Sequence, residues 1–123
     1  MKILEIGKVD LASLCYLNKE RYPFLLESVN HNDNNRYSIL FAFPSESIVL
    51  NSLSDFDFLN ELESQYKSSN LNSNLPFSGG WFVYLSYELI GQIEPILSRE
   101  LHTSELPIAY AVKIPSAIII DYQ

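Results

Sequence analysis

Residues 75–95, LPFSGGWFVYLSYELIGQIEP, contain the clearest succession of structural signals in the chain. A proline and a glycine pair end the polar segment that precedes them. The apolar, aromatic run 81–87 is too short to span a membrane and has the length of a buried strand. Residues 88–94 then show helical spacing, with Leu89, Ile93 and Leu97 on one face. This stretch therefore predicts a strand that leads directly into a helix.

Composition limits the class of protein. The 123 residues have the length of one domain, and 47% of them are apolar, which is enough for a sizeable core. The net charge of −7, without a basic cluster, argues against binding nucleic acid or an anionic membrane surface. The single cysteine, Cys15, excludes a disulfide framework and favours a reducing, cytoplasmic setting. His31 and His102 are far apart, so no metal-ligand spacing exists. The apolar run at the N-terminus contains Glu5 and is too short for a signal peptide.

The first third of the sequence predicts a short helix and a β-hairpin. Residues 2–6 alternate loosely like a strand, and Asp10 can cap a helix that continues to residue 16 or 17. Residues 24–29 and 37–43 have the composition of strands. The Asn- and Asp-rich segment 30–35 between them is typical of a turn.

The remainder predicts one long helix and more strands. Residues 54–67 show the clearest helical pattern, with Ser54 and Asp57 in a capping box at its start. Two polar segments, 68–74 and 100–105, predict loops. Further strands are expected at 47–50, 108–113 and 117–121, the last two separated by Pro115.

Together these patterns predict six or seven strands and three helices. Short connections favour antiparallel pairing, so the expected fold class is α+β, with a mostly antiparallel sheet layered with helices. The apolar strand at 117–121 ends two residues before Gln123. We therefore expect that the natural chain continues beyond this residue.

Most groups with catalytic potential have a stronger structural interpretation. Glu88 and Glu94 are six residues apart, on different faces of the predicted helix, which favours solvated charges over an acid–base pair. Cys15 lies on an apolar helix face, where a structural thiol is usual. Residues 78–80 lack the lysine of a phosphate-binding loop and are typical of a tight turn. We expect no catalytic residue and no metal site in this chain.

A ligand-binding rim is the more specific possibility. Glu27 and Ser28 follow an apolar strand, so they lie at the edge of a core, where they could receive an amino-acid ammonium group. Arg36, beyond the turn, could hold the ligand carboxylate with its fork of donors. The alternative is an ordinary strand end that faces water, and the chemistry of the residues alone favours that alternative.

These residues also carry a family resemblance. Its motifs are RYPFLLES (21–28), RYS (36–38), PFSGGWFVYLSYEL (76–89), QIEP (92–95) and LPIAYAVKIPSAIIIDYQ (106–123). With these motifs the sequence resembles the N-terminal region of chorismate-utilising synthases, namely component I of anthranilate synthase and of aminodeoxychorismate (para-aminobenzoate) synthase. The resemblance covers nearly the whole chain, although the family usually has Asp-His where this chain ends in Asp-Tyr-Gln.

The resemblance implies a parent enzyme that aminates chorismate. The form GGW…YEL…GQIEP is similar to the aminodeoxychorismate branch, whose product is 4-amino-4-deoxychorismate, on the route to para-aminobenzoate and folate. In this family ammonia comes from a glutamine amidotransferase subunit (component II), and Mg²⁺ binds in a large C-terminal chorismate-binding domain that is absent from this sequence. The resemblance therefore implies that this chain is inactive alone and has no cofactor of its own.

The resemblance also implies a role for the hairpin. In the family this region supplies strands to a shared sandwich and one part of a tryptophan pocket. By position, that pocket would include Leu26, Glu27, Ser28, Arg36 and Tyr37. Without the catalytic domain we expect unpaired strand edges and exposed apolar surface, through which the chain could dimerise.

Two alternatives remain open. One is the equivalent domain of anthranilate synthase, where tryptophan exerts feedback control. The other is a free-standing module that binds a small ligand or a protein.

Overall fold

This computed structural model describes residues 2–29, 32, 34–66, 74–98 and 105–123. The described residues form six strands, three α-helices and two 3₁₀ turns. The predicted α+β fold class is confirmed. In chain order the elements are α1 (Leu11–Leu17), β1 (Phe24–Leu26), β2 (Tyr37–Ala42), β3 (Ser47–Leu50), α2 (Phe58–Gln65), β4 (Gly80–Leu85), a 3₁₀ turn (Tyr87–Leu89), α3 (Ile90–Ile93), a second 3₁₀ turn (Pro95–Leu97), β5 (Ala109–Ile114) and β6 (Ser116–Asp121).

The strands form two three-stranded sheets, with the orders β1-β2-β6 and β3-β5-β4. The pairings of β1 with β2, β2 with β6 and β3 with β5 are antiparallel, as predicted from the short connections. The chain divides into two compact units, each with one sheet. The first unit draws on residues 1–45, 71–80 and 114–123, and the second on 46–70 and 81–113.

In the first unit β2 is the central strand. Leu40 is fully buried and pairs with Leu25 on one side and Ile118 on the other. Helix α1 packs against β1 and β2 and buries Leu11. The predicted cap of this helix is confirmed: the Asp10 carboxylate accepts the Ser13 N–H at 3.1 Å. The Ser13 hydroxyl also donates to Asp10 and lowers the pKa of this carboxyl.

Strand β2 ends at a residue with unusual backbone geometry. Phe43 has φ +59°, a left-handed conformation that is rare for a bulky side chain. Its N–H donates to the Arg21 carbonyl at 2.8 Å, and the Tyr22 ring packs edge-on against its ring. These contacts offset the cost of the conformation and end the strand one residue earlier than predicted.

In the second unit Phe58 is the largest fully buried side chain. It begins α2, which packs against β3. The core around Phe58 consists of apolar residues from β3, from the first 3₁₀ turn, and from β5 with the residue before it: Ile48, Leu50, Leu89, Ile108, Ala109 and Ala111. Trp81 and Leu62 are partly buried against this cluster.

The Gln92 side chain links α3 to the start of α2. Its carbonyl oxygen accepts the Phe58 N–H at 3.0 Å. Its amide nitrogen donates to the carbonyls of Leu53 (2.9 Å) and Phe56 (2.5 Å). One neutral side chain therefore satisfies the Phe58 N–H, which has no partner within the helix because it lies in the first turn, and two carbonyls of the segment before the helix.

The predicted start of the long helix is wrong. Residues 52–55 form a turn, in which the Asp55 N–H donates to the Ser52 carbonyl at 3.1 Å. The helix begins only at Phe58, with Asp57 as its N-cap and a 3.0 Å bond from the Asn60 N–H to the Asp57 carboxylate. The N-cap is therefore Asp57, next to the buried Phe58, and not Ser54, whose hydroxyl bonds to Ser52 in the preceding turn.

The predicted helix over 88–94 is also wrong in detail. A 3₁₀ turn, the four-residue α3 and a second 3₁₀ turn replace one regular helix. Leu89 is buried, but Ile93 is 64% exposed, so the expected common apolar face does not form. The proline at 95 explains why α3 ends at Ile93, because helical geometry is disfavoured for the residue before a proline, and Glu94 has φ −131° and ψ 89°.

Two expected strand segments differ as well. Residues 2–6 form no strand, and their side chains are exposed. Loose alternation is not sufficient for a strand when no neighbouring strand pairs with the segment. Strand β1 ends at Leu26, three residues before the predicted end. Segments 67–73 and 99–104, which cover most of the two predicted loops, lie outside the described residues.

Candidate functional site

The five residues that the resemblance assigns to a ligand pocket lie at one end of the first sheet. Leu26 is the last residue of β1 and pairs with Ile39. Glu27 and Ser28 follow directly, and Glu27 is exposed. Arg36 and Tyr37 stand at the start of β2. The predicted hairpin therefore brings all five to one end of the sheet.

Ser38 is the buried centre of this end of the sheet. Its side chain is 1% exposed, and its oxygen accepts the Ser28 N–H at 3.0 Å. The same oxygen shares a 3.0 Å hydrogen bond with the Tyr122 hydroxyl. The Ser28 hydroxyl in turn donates to the Tyr37 carbonyl. Ser28 is thus held through both its amide and its hydroxyl.

The Arg36 guanidinium is paired with a carboxylate of the protein. Its Nε donates to Oδ1 of Asp121 at 2.6 Å, and Nη2 donates to the other oxygen. Oδ1 also accepts the Gln123 N–H at 3.1 Å. The hydrogen bonds from Arg36 hold the pKa of Asp121 below its ordinary value. The guanidinium carbon lies 4.8 Å from the centre of the Tyr37 ring.

The strand register distributes these groups over two faces. Leu26 pairs with Ile39, and Tyr37 pairs with Asp121, so the side chains of these four share one face of the sheet. Ser38 belongs to the opposite, buried face. The structure thus brings Arg36 to Tyr37 and Ser28 to the Tyr37 backbone, but it places Leu26 and the Ser38 group on different sides.

Ser38, Asp121 and Tyr122 are absent from the predicted set. A signal for Ser38 exists in the sequence YSILFA, because a serine that alternates with buried apolar residues needs a hydrogen-bond partner. Asp121 and Tyr122 are 85 and 84 residues away from their partners in the chain, so no local pattern could identify them.

The other residues with catalytic potential take structural or surface positions. Cys15 is a half-buried free thiol on α1. Glu88 is half-buried in the first 3₁₀ turn, and Glu94 is exposed after α3. Gly79 has φ +112°, which agrees with the predicted tight turn at 78–80. His31 and His102 lie outside the described residues.

The second unit has an open apolar depression of about 430 Å³ between α2 and β4. Leu59, Leu62, Tyr66, Trp81 and Val83 line it, and Glu63 is the charged residue at its side. No sequence signal pointed to this depression.

Within the described ranges, no group of three or more His, Cys, Asp or Glu side chains is arranged to hold a metal ion. The same part of the chain contains no helix with the length and hydropathy that a membrane crossing requires.

Two curated proteins are similar to this chain. Anthranilate synthase component 1 of Lactococcus lactis subsp. lactis (strain IL1403) is 27% identical over 137 aligned positions, which cover 99% of this chain and 30% of the relative. Anthranilate synthase component I-like protein of Synechocystis sp. (strain ATCC 27184 / PCC 6803 / Kazusa) is 29% identical over 102 positions, which cover 78% of this chain and 21% of the relative. No family model matches the sequence.

The chain therefore spans less than a third of the length of these two relatives. The similarity extends over nearly all of its residues at a low level of identity. It supports a relationship between this chain and the anthranilate synthase component I family.

Proposed function

We propose that this chain forms the N-terminal, non-catalytic domain of a chorismate-utilising synthase component I. The observation that carries the proposal is the alignment of 99% of the chain with 30% of an anthranilate synthase component 1. A piece of that proportion corresponds to one domain of a multi-domain enzyme. The remaining part of the parent would contain the chorismate-binding catalytic domain.

We assign the parent to the aminodeoxychorismate branch, in which chorismate is aminated to 4-amino-4-deoxychorismate. The motif GGW…YEL…GQIEP supports this branch by resemblance. The structure gives the last part of the motif a physical role, since Gln92 holds the start of α2 through three hydrogen bonds.

In this proposal the chemistry takes place outside the 123 residues. The C-terminal domain binds chorismate and Mg²⁺, and a glutamine amidotransferase subunit supplies ammonia. The chain described here provides a scaffold, and alone it has no activity. The single cysteine, half-buried and free, supports a reducing cytoplasmic location.

Exposed apolar side chains support a covering partner. Ile96 is 87% exposed and Tyr87 is 82% exposed, both in or beside the motif-rich stretch. Leu26 is 53% exposed at the end of β1. Large apolar groups at the surface are typical of interfaces, and we assign them to the parent's own catalytic domain or, without it, to a second copy of the chain.

We further propose that the end of the first sheet contributes to a tryptophan pocket. Leu26, Glu27, Ser28, Arg36 and Tyr37 supply apolar surface, a carboxylate, a hydroxyl, a guanidinium and an aromatic ring. These are the groups that recognise the apolar body, the ammonium and the carboxylate of an amino acid. The rest of the pocket wall would come from the catalytic domain.

The branch is tested by the product of the full-length protein. Purified full-length protein is incubated with chorismate, Mg²⁺ and ammonia, and the products are separated by chromatography. We expect 4-amino-4-deoxychorismate, and no product from the 123-residue chain under the same conditions. An ortho-aminobenzoate product would contradict the assigned branch.

The anthranilate branch is the second candidate, and a specific observation favours it. Both similar proteins carry the name anthranilate synthase component I or component I-like. In that case the assay yields ortho-aminobenzoate, and tryptophan inhibits its formation. A free-standing binding module is a third possibility. It is distinguished by the codons after Gln123, because the synthase requires about 300 more coding residues.

The tryptophan pocket is tested by calorimetric titration of L-tryptophan into the full-length protein. We expect binding that weakens in a Ser28→Ala variant, since this serine lies at the proposed rim. Ser116→Ala is the matched control, because Ser116 is exposed on β6 of the same sheet. Equal affinity in Ser28→Ala and in the unaltered protein would remove Ser28 from the pocket.

A further inference from the structure

The Arg36 guanidinium already holds a carboxylate without any ligand. The edge formed by Nε and Nη2 faces both oxygens of Asp121. A bidentate fork of this kind is the geometry with which arginine recognises any carboxylate. A ligand carboxylate that approached the same edge would therefore compete with Asp121 for the same two donors.

The two partners of this ion pair are held differently. Arg36 lies against the Tyr37 ring, and its carbonyl accepts the Tyr122 N–H at 3.0 Å, so its backbone is bonded to the residue that follows β6. The Asp121 carboxylate has a second donor in the Gln123 N–H. If Arg36 were released, this amide would still satisfy one oxygen of the carboxylate.

The ion pair is also accessible. The side chains of Arg36 and Asp121 are 36% and 38% exposed, so water and a small ligand can reach both groups. Exposed ion pairs contribute little to stability, because solvent screens them and the side chains lose freedom. Replacement of the Asp121 carboxylate by a ligand carboxylate therefore requires little free energy.

We propose that Asp121 acts as an internal competitor for the carboxylate of an amino-acid ligand bound through Arg36. Asp121 occupies the Arg36 fork in the free protein, and the ligand carboxylate displaces it. This inference rests on the proposed tryptophan pocket. It makes Asp121 a residue that sets the affinity of the pocket for carboxylate-bearing ligands, without being part of its lining.

The test compares two ligands that differ in the carboxylate. L-tryptophan and tryptamine, which has no carboxylate, are titrated into the full-length protein and into its Asp121→Asn variant. The variant keeps the shape of the side chain but removes the charge that competes for Arg36. We expect tryptophan to bind about fivefold more tightly, the upper range for release of an exposed ion pair, and tryptamine to bind unchanged.

Two controls isolate the competition. Glu46→Gln removes the carboxylate of the exposed Lys113–Glu46 pair (3.2 Å) and changes the net charge by the same amount, and it should alter neither ligand. In an Arg36→Gln background the Asp121→Asn gain should disappear, because the shared donor is absent. Circular dichroism verifies that each variant is folded, and Asp121→Ser serves as a second substitution.

The outcomes are distinguishable. If tryptophan binds the unaltered protein and the Asp121→Asn variant binds it equally or more weakly, the competition is refuted while the proposed pocket stands. Equal gains for tryptophan and tryptamine would also refute it, because the effect would not involve the carboxylate. If tryptophan binds none of these proteins, the proposed pocket and this inference both fail.

Discussion

Ser38 in the first unit and Gln92 in the second both connect distant parts of the chain, but with different partners. Gln92 is a neutral amide whose three hydrogen bonds go to backbone groups near Phe58. Ser38 joins the Ser28 amide to the Tyr122 hydroxyl, next to an exposed ion pair. Both belong to motifs that support the family resemblance.

The difference distinguishes the structural role of one motif residue from the binding role that we propose beside the other. A side chain that satisfies otherwise unpartnered backbone groups cannot release them without a cost in folding free energy. Ser38 likewise holds a backbone amide, but the ion pair beside it is exposed, and Arg36 can exchange the Asp121 carboxylate for a ligand group. We therefore assign QIEP a structural role, whereas the ligand-site role of the end of the first sheet is our proposal.

The largest expected effect is the loss of the Gln92 side chain. Gln92→Ala leaves the Phe58 N–H and the carbonyls of Leu53 and Phe56 without this partner. We expect the free energy of unfolding to fall by about 2–3 kcal/mol, measured by chemical denaturation. Gln65→Ala is the control, since among the described residues the Gln65 side chain bonds to Glu61 within α2, and its loss should cost roughly 0.2–0.5 kcal/mol. Similar losses in the two variants would contradict the structural role of Gln92.

Removal of the Ser38 hydroxyl should have a smaller effect on stability. Ser38→Ala removes the acceptor of the Ser28 N–H at a buried position, and we expect a loss of about 1–2 kcal/mol. Ser116→Ala, at an exposed position of β6, should change stability by less than about 0.5 kcal/mol. If Ser38→Ala proves as stable as the unaltered chain, the Ser28–Ser38 bond does not organise this end of the sheet.

The revised start of α2 gives a sharper test of the second unit. Asp57→Ala removes the N-cap and should cost about 1 kcal/mol. Ser54→Ala should have almost no effect, because its hydroxyl bonds to Ser52 in the turn before the helix. The reverse order of the two effects in thermal unfolding would restore the capping box with Ser54 as its first residue.

The smallest expected effect is the pH dependence of the Arg36–Asp121 pair. The pKa of Asp121 is lowered in the folded chain, so the pair stabilises the fold above the ordinary aspartate pKa of 3.8. This contribution is lost as the pH falls through the lowered value, since protonation of the carboxylate ends the ion pair. NMR titration should show the Asp121 pKa rising towards its ordinary value in Arg36→Gln. An unchanged pKa would show that another group controls it.

Local elements were predictable where one short pattern contains all the information. Asp10 caps α1 as expected because the cap and its Ser13 partner are three residues apart. The composition of residues 37–43 predicts β2 within one residue of its observed end. The boundaries that failed, at Phe58 and after Leu26, depend on contacts with other elements.

The geometry of the proposed ligand site was predictable only in part. The hairpin brought the five expected residues to one end of the sheet, because a turn between two strands necessarily places their ends together. The ion pair of Arg36 could not be predicted, since Asp121 becomes its neighbour only when β6 pairs with β2. The local sequence around Arg36 does not indicate which carboxylate its guanidinium donors will meet, and the pairing of β2 with β6 brings Asp121 to them.

The sequence alone determined the α+β class, the hairpin and most of the strands, because hydrophobic period and turn residues act over a few positions. The tertiary structure decided that the strands form two sheets, that Gln92 caps a helix 34 residues away and that Asp121 meets Arg36. These contacts join residues far apart in the chain. They form only when burial of the apolar faces has brought the elements together, and no short pattern records which polar groups will then meet.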